Sequence, residues 1–242
     1  MKRLRLMLIL LTITTGCAKK ADNTPPALGI TQPGTKNPVG TDTISYLALG
    51  DSYTAGVDVD LHATYAYQLD SVLNALSFHV LSPFEVAKPG WTTDALISAV
   101  SQNVPINSKF GIVTLMIGVN DEAQGLSIDN YRLKFSQILN TAINFANGNA
   151  NRVFVLSVPD WGVTPFAKGK ESIIGPQIDL FNDVNYQETL RAGANYLNVT
   201  DVSKLAATDT TLLAADGLHP SKKMYTMWAA LLEPLVAAEL KK

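Results

Sequence analysis

Apolar runs and polar breaks alternate along most of this chain. Ile44-Ser45-Tyr46-Leu47-Ala48-Leu49 is an apolar run with a β-branched start, and it predicts a buried strand that stops at Gly50-Asp51-Ser52. Thr54 to Ala63 is polar and reads as a loop. Thr64 to Leu76 has helical spacing, with Ala66, Leu69, Leu73 and Leu76 on one face. A second strand is expected at Phe84-Glu85-Val86-Ala87, ending at Pro89-Gly90-Trp91-Thr92, with a helix from Thr93 that turns Ala95, Leu96, Ala99 and Val100 inward. Gly111 to Ile117 is the clearest strand, broken by Gly118-Val119-Asn120-Asp121.

The same alternation continues to the end. A helix is expected over Ile128 to Asn147, with Leu133, Ile138, Leu139 and Phe145 as its apolar positions. Arg152 to Ser157 reads as the fourth strand, Pro159 to Pro176 as a long loop, Gln177 to Ala192 as a helix, and Tyr196 to Val199 as a short fifth strand. Asp216-Gly217-Leu218-His219-Pro220 interrupts the chain before a last helix, capped by Ser221, that runs to about Leu240. Strands alternating with helices imply a parallel sheet covered on both faces. Breaks that follow such strands gather at one edge of the sheet, where open α/β sheets place their ligands.

The first 42 residues follow other rules. Lys2, Arg3 and Arg5 precede a short apolar segment from Leu6 through Ile13, and Thr14-Thr15-Gly16 leads into Cys17. This reads as a secretory signal, too short for a membrane span. Its end is similar to a bacterial lipobox, with Thr14 where leucine is usual. Cys17 is the only cysteine in the sequence and stands where lipidation would need it. The expected organisation is therefore a signal peptide over 1–16, a lipidated Cys17 and Pro/Gly-bearing tether over 17–42, and one folded domain over 43–242. The expected location is the bacterial cell envelope, with contact to membrane through the lipid anchor only.

Composition narrows the picture. The 242 residues are 47% hydrophobic and 17% charged, as in a globular protein with a full core. Loss of the signal would leave 16 basic against 21 acidic residues, a formal balance of −5. No basic stripe remains to bind nucleic acid. A body without cysteine has no disulfide and no thiol chemistry. Asp58, Asp60 and His62 are metal-ligand types in alternation. No second cluster completes a coordination sphere, so they read as a solvated loop, and no metal or other cofactor is expected.

The breaks carry the chemistry. A serine at the end of a strand is a nucleophile if a base reaches it. Of His62, His79 and His219, only His219 stands three residues after an acid in a loop, and Asp216 at that spacing can fold back to its Nδ1–H. Gly50-Asp51-Ser52, Gly90, Gly118-Val119-Asn120-Asp121 and Asp216-Gly217-Leu218-His219 resemble, in order, the blocks of the SGNH or GDSL hydrolase family. The resemblance implies a flavodoxin-like three-layer α/β/α fold and ester hydrolysis through an acyl-enzyme. It also implies Ser52 as nucleophile, His219 as base, Asp216 as its orienting partner, and an oxyanion hole from the Ser52 N–H, the Gly90 N–H and the Asn120 side chain. Asp51 and Asp121 read as structural. The expected substrate is a small ester, an esterified glycan or a lipid ester such as a lysophospholipid. Acyl transfer and a catalytically silent glycan-binding module are the alternatives. Tyr53, Trp91, Trp161 and Phe166 are candidates for the cleft lining or for the core.

Overall fold

A computed structural model describes residues 43–242; the proposed signal, Cys17 and the tether lie outside the described residues. Along the chain come β1 (Tyr46–Gly50), α1 (Ser52–Ala55), α2 (Tyr65–Ala75), β2 (Phe84–Ala87), α3 (Thr93–Asn103), β3 (Ile112–Met116), α4 (Val119–Ala123) and α5 (Ile128–Phe145). β4 (Val153–Leu156), α6 (Glu171–Ala192), β5 (Asn195–Leu197), α7 (Thr200–Lys204) and α8 (Lys222–Leu240) complete it. The five strands are parallel, in the order β2-β1-β3-β4-β5, which is the flavodoxin-like doubly wound order.

Alternate residues of the strands feed two cores. Tyr46, Ala48, Ile112 and Phe154 pack with Leu69 and Leu73 of α2 and with Trp228 and Leu232 of α8. Leu47, Leu49, Val113 and Val155 pack with Leu96 of α3, Phe135 and Ile138 of α5, and Phe181 of α6. This is why the strands read as continuous apolar runs: both faces of the sheet are covered. Among the described residues no helix is long and apolar enough to cross a membrane.

Several expected details differ. Leu76, at the C-cap of α2, is 51% exposed; Leu133 is 70% exposed because the buried stripe of α5 runs through Tyr131, Phe135, Ile138 and Ala142, and Leu133 lies on the opposite flank. Ala95 of α3 is only partly buried. The helix expected from Gln177 begins at Glu171 and contains Pro176. Proline disfavours a helical neighbour through a clash with that neighbour's Cβ, and here the neighbour is Gly175, which has none. The remaining loop is not irregular: it holds 3₁₀ turns at Trp161–Val163 and Pro165–Ala167. β5 begins one residue early, and Thr200 already starts α7. Ser221 precedes α8, but its hydroxyl donates to the Thr211 carbonyl instead of capping the helix.

Candidate active site

The chain order 2-1-3 places the reversal of the sheet between β1 and β3, and ligands of such sheets bind at that point. Ser52 follows β1 directly. Gly50 permits the sharp exit: a Cβ there would stand 2.1 Å from Thr54 Oγ1 and 2.6 Å from the Met116 carbonyl oxygen. Asp51 then caps α1, its Oδ1 accepting the Tyr53 N–H at 3.0 Å. That leaves the Ser52 N–H, in the first turn of a helix, without an intrahelical partner. Ser52 itself is 5% exposed.

Three further segments converge on Ser52. Gly90, three residues past β2, has φ +83°, a backbone state that a side chain rarely adopts, and the space beyond its Cα is open. Asn120 follows β3 and donates one Nδ2 hydrogen to the Trp91 carbonyl at 3.0 Å, which ties the second and third breaks together. Asp121 strengthens that tie, Oδ2 accepting from the Thr93 N–H at 2.9 Å and the Thr93 hydroxyl at 3.1 Å. His219 comes from the loop before α8. Asp216 folds back on it: Oδ2 takes His219 Nδ1 at 2.5 Å, while Oδ1 accepts the backbone N–H groups of Leu218 and His219 at 2.9 and 3.0 Å. Nε2 is then the ring nitrogen that Asp216 does not engage.

Ser52, Gly90, Asn120 and His219 line one cleft of about 280 Å³. Asp216 supports it from behind the imidazole. His62 and His79 are not part of its lining. Of the four aromatic candidates, Tyr53, Trp161 and Phe166 line it, whereas Trp91 is partly buried against the core that holds Leu96, Phe135 and Phe181. Val119, Ala123 and Leu218 complete a mostly apolar wall that the sequence did not single out. Among the described residues no group of three or more His, Cys, Asp or Glu is arranged to hold a metal.

The electrostatics separate the acids. Burial pushes Asp51 up to about 7, against the opposing bond from Tyr53, and pushes Asp121 up to about 6. Burial acts on Asp216 in the same direction, but the bonds from His219 and from the backbone N–H groups outweigh it and hold its carboxyl below the usual range. Of these three carboxyls, the one facing the histidine is the one held below its ordinary range.

The model of the GDSL-like lipase/acylhydrolase family matches residues 48–227. This chain belongs to that family. It is a carboxylic ester hydrolase. No curated protein matches it. Solved structures show the same fold at low identity. A lipase/acylhydrolase from Enterococcus faecalis is 20% identical, with TM-score 0.64, over 81% of this chain and 96% of that one. The acetylxylan esterase Axe2 from Geobacillus stearothermophilus is 17% identical, with TM-score 0.63, over 80% and 94%. The psychrotrophic esterase EstA from Pseudoalteromonas sp. is 15% identical, with TM-score 0.59, over 82% and 99%.

In this GDSL-like hydrolase two supports of the site carry no sequence signal. Tyr131 of α5 occupies the space beyond Gly118, where a Cβ would stand 2.4 Å from its hydroxyl, and donates to the Ile117 carbonyl at 2.9 Å. It also meets Asn185 Oδ1 at 2.5 Å. One hydroxyl hydrogen cannot serve both acceptors. Turning the Asn185 amide over lets Nδ2, otherwise buried without a partner, donate to Tyr131. The second support is Glu122 of α4, whose Oε2 accepts the Trp161 indole N–H at 2.8 Å.

Proposed function

We propose that this hydrolase works through an acyl-enzyme on Ser52, with His219 as general base and Asp216 holding its tautomer. The reading is carried by one observation: Ser52, Gly90, Asn120 and His219, from four distant segments, line one cleft, and Asp216 takes the Nδ1 of His219. His219 Nε2 removes the Ser52 hydroxyl proton as Oγ attacks the ester carbonyl carbon. The carbonyl oxygen becomes an oxyanion bound by the Ser52 N–H, the Gly90 N–H and the second Nδ2 hydrogen of Asn120. Each such donor is worth about 3–4 kcal/mol of transition-state stabilisation. Collapse breaks the bond to the alcohol oxygen, which leaves with the proton from His219. Water then attacks the acyl-enzyme by the same route and frees the acid. Hydrolysis of a p-nitrophenyl ester by the wild type, absent in Ser52→Ala, supports the reading. Retention of activity by Ser52→Ala overturns it.

The substrate is proposed as a small ester, an esterified glycan or a lipid ester, presented outside the cytoplasm. The domain is proposed to be tethered at the cell envelope through a lipid on Cys17, following a signal peptide over 1–16. The lone cysteine after a basic and then apolar segment supports this. Mass spectrometry of the membrane-extracted protein should find a diacylglyceryl-modified Cys17 at its N-terminus; an unmodified Cys17 or cleavage elsewhere contradicts it.

A further inference from the structure

Apart from Ser52, Asn120, His219 and the Gly90 main chain the cleft presents mostly apolar surface, and no acidic residue, lysine or arginine lines it. Such a lining suits an uncharged hydrocarbon group. Its two exposed-side aromatic residues are held very differently. The Trp161 main chain is pinned twice: its carbonyl accepts the Thr164 hydroxyl at 2.7 Å, and Asp160 Oδ1 accepts the N–H of the next residue, Gly162, at 2.9 Å. Gly162 in turn lies against α6, where a Cβ would stand 3.0 Å from Ile174. The indole is pinned a third time by Glu122, which is only 6% exposed. Phe166, by contrast, is 67% exposed and meets Trp161 at 6.2 Å between ring centroids.

We propose that Glu122 is a positioning residue that fixes the Trp161 indole as the end wall of the acyl site, so that this pair sets the longest acyl chain the enzyme prefers. The inference rests on the Ser52 reading above. Trp161 lines the same cleft as Ser52, Asn120 and His219. The leaving alcohol lies on the His219 side, where it must receive its proton. The acyl chain is assigned to the Trp161 wall because the cleft lining is mostly apolar, and the alcohol series tests that assignment. Glutamate suits this position because its buried oxygen must keep a donor or bear the cost of desolvation, so the indole is held firmly and not merely packed.

The proposal is tested with a series of p-nitrophenyl esters from acetyl to dodecanoyl, assayed with the full chain, together with a series of acetyl esters that differ in the alcohol. In the wild type kcat/KM should rise about fourfold per methylene, the burial gain of about 0.8 kcal/mol, and stop rising at a medium chain length. Glu122→Ala should raise the octanoyl-to-butanoyl ratio of kcat/KM by about tenfold, as two or so more methylenes are buried. Glu122→Gln keeps an acceptor for the indole N–H and should retain the wild-type ratio. Trp161→Phe shortens the wall without needing Glu122 to be altered and should also raise the ratio. An unchanged ratio in both Glu122→Ala and Trp161→Phe overturns the proposal, as does a shift confined to the alcohol series. Glu122→Gln behaving as Glu122→Ala overturns the role of the hydrogen bond. Ser52→Ala in the same series separates the two claims: if it stays active, the Ser52 reading has failed; if it is inactive and the ratio does not move, the wall alone has failed.

Discussion

Asn120 gives one amide hydrogen to the Trp91 carbonyl, and His219 gives Nδ1 to Asp216, so each side chain is oriented by an atom that the proposed chemistry leaves unused. The consequences of removal then differ in kind. Ser52→Ala and His219→Ala should each abolish nearly all turnover, because either loss leaves no activated nucleophile. Asp216→Asn should be milder than both, since a neutral imidazole still accepts a proton, although its tautomer is less well held. Asn120→Ala should lower kcat by about 10²–10³-fold with little change in KM, as one donor to a developing charge is lost. Steady-state kinetics on a chromogenic ester checks all four. The gathering of these residues at one cleft was legible in the sequence because each is a polar break in an otherwise apolar pattern. Glu122 was not, because its partner lies 39 residues away and nothing local marks the pair.

At the level of elements, the site depends on how sharply the chain leaves each strand. Gly50 and Gly118 are needed for different reasons, the first for the fold-back of α1 and the second for the tyrosine packed upon it. Tyr131 is the brace between α5, α6 and the break that carries Asn120. Tyr131→Phe keeps the ring and removes both bonds, leaving the buried Ile117 carbonyl and the Asn185 amide unpaired. It should cost about 1–3 kcal/mol of stability in a urea melt. It should also lower kcat more than it raises KM, because the Asn120 loop loses its anchor. A loss of stability with unaltered kcat would make Tyr131 a packing residue only. The strands were legible from the apolar runs, with β2, β3 and β4 within a residue or two of expectation. The start of α6 was not, since Pro176 signals a boundary unless the effect of Gly175 before it is weighed. The 3₁₀ turns after β4 were hidden for a similar reason: they are held by side-chain bonds from Asp160 and Thr164, not by an apolar period.

The whole molecule buries carboxyl groups that the site does not use for proton transfer. Burial raises Asp51 and Glu85 to about 7 and Asp121 to about 6. Each holds its proton more tightly folded than unfolded, so its stabilising contribution is fully present below about pH 4 and is lost as pH rises to about 7. Thermal melts should therefore show lower stability at pH 8 than at pH 5. Glu85 tests this away from the cleft: it lies on the edge strand β2, and its Oε2 is buried without a partner among the described residues. Glu85→Gln should raise Tm at pH 8 more than at pH 5; an equal effect at both would contradict the assignment. The three-layer architecture was legible because alternating elements admit few topologies, whereas these buried acids follow from tertiary packing that no local pattern encodes. The central claim is that Ser52 becomes covalently acylated, and it is tested most directly by intact-mass and peptide mass spectrometry after exposure to a fluorophosphonate. One adduct per chain is expected, on Ser52, absent from Ser52→Ala and formed much more slowly in His219→Ala. An adduct on another residue, or equal labelling of Ser52→Ala, would contradict it.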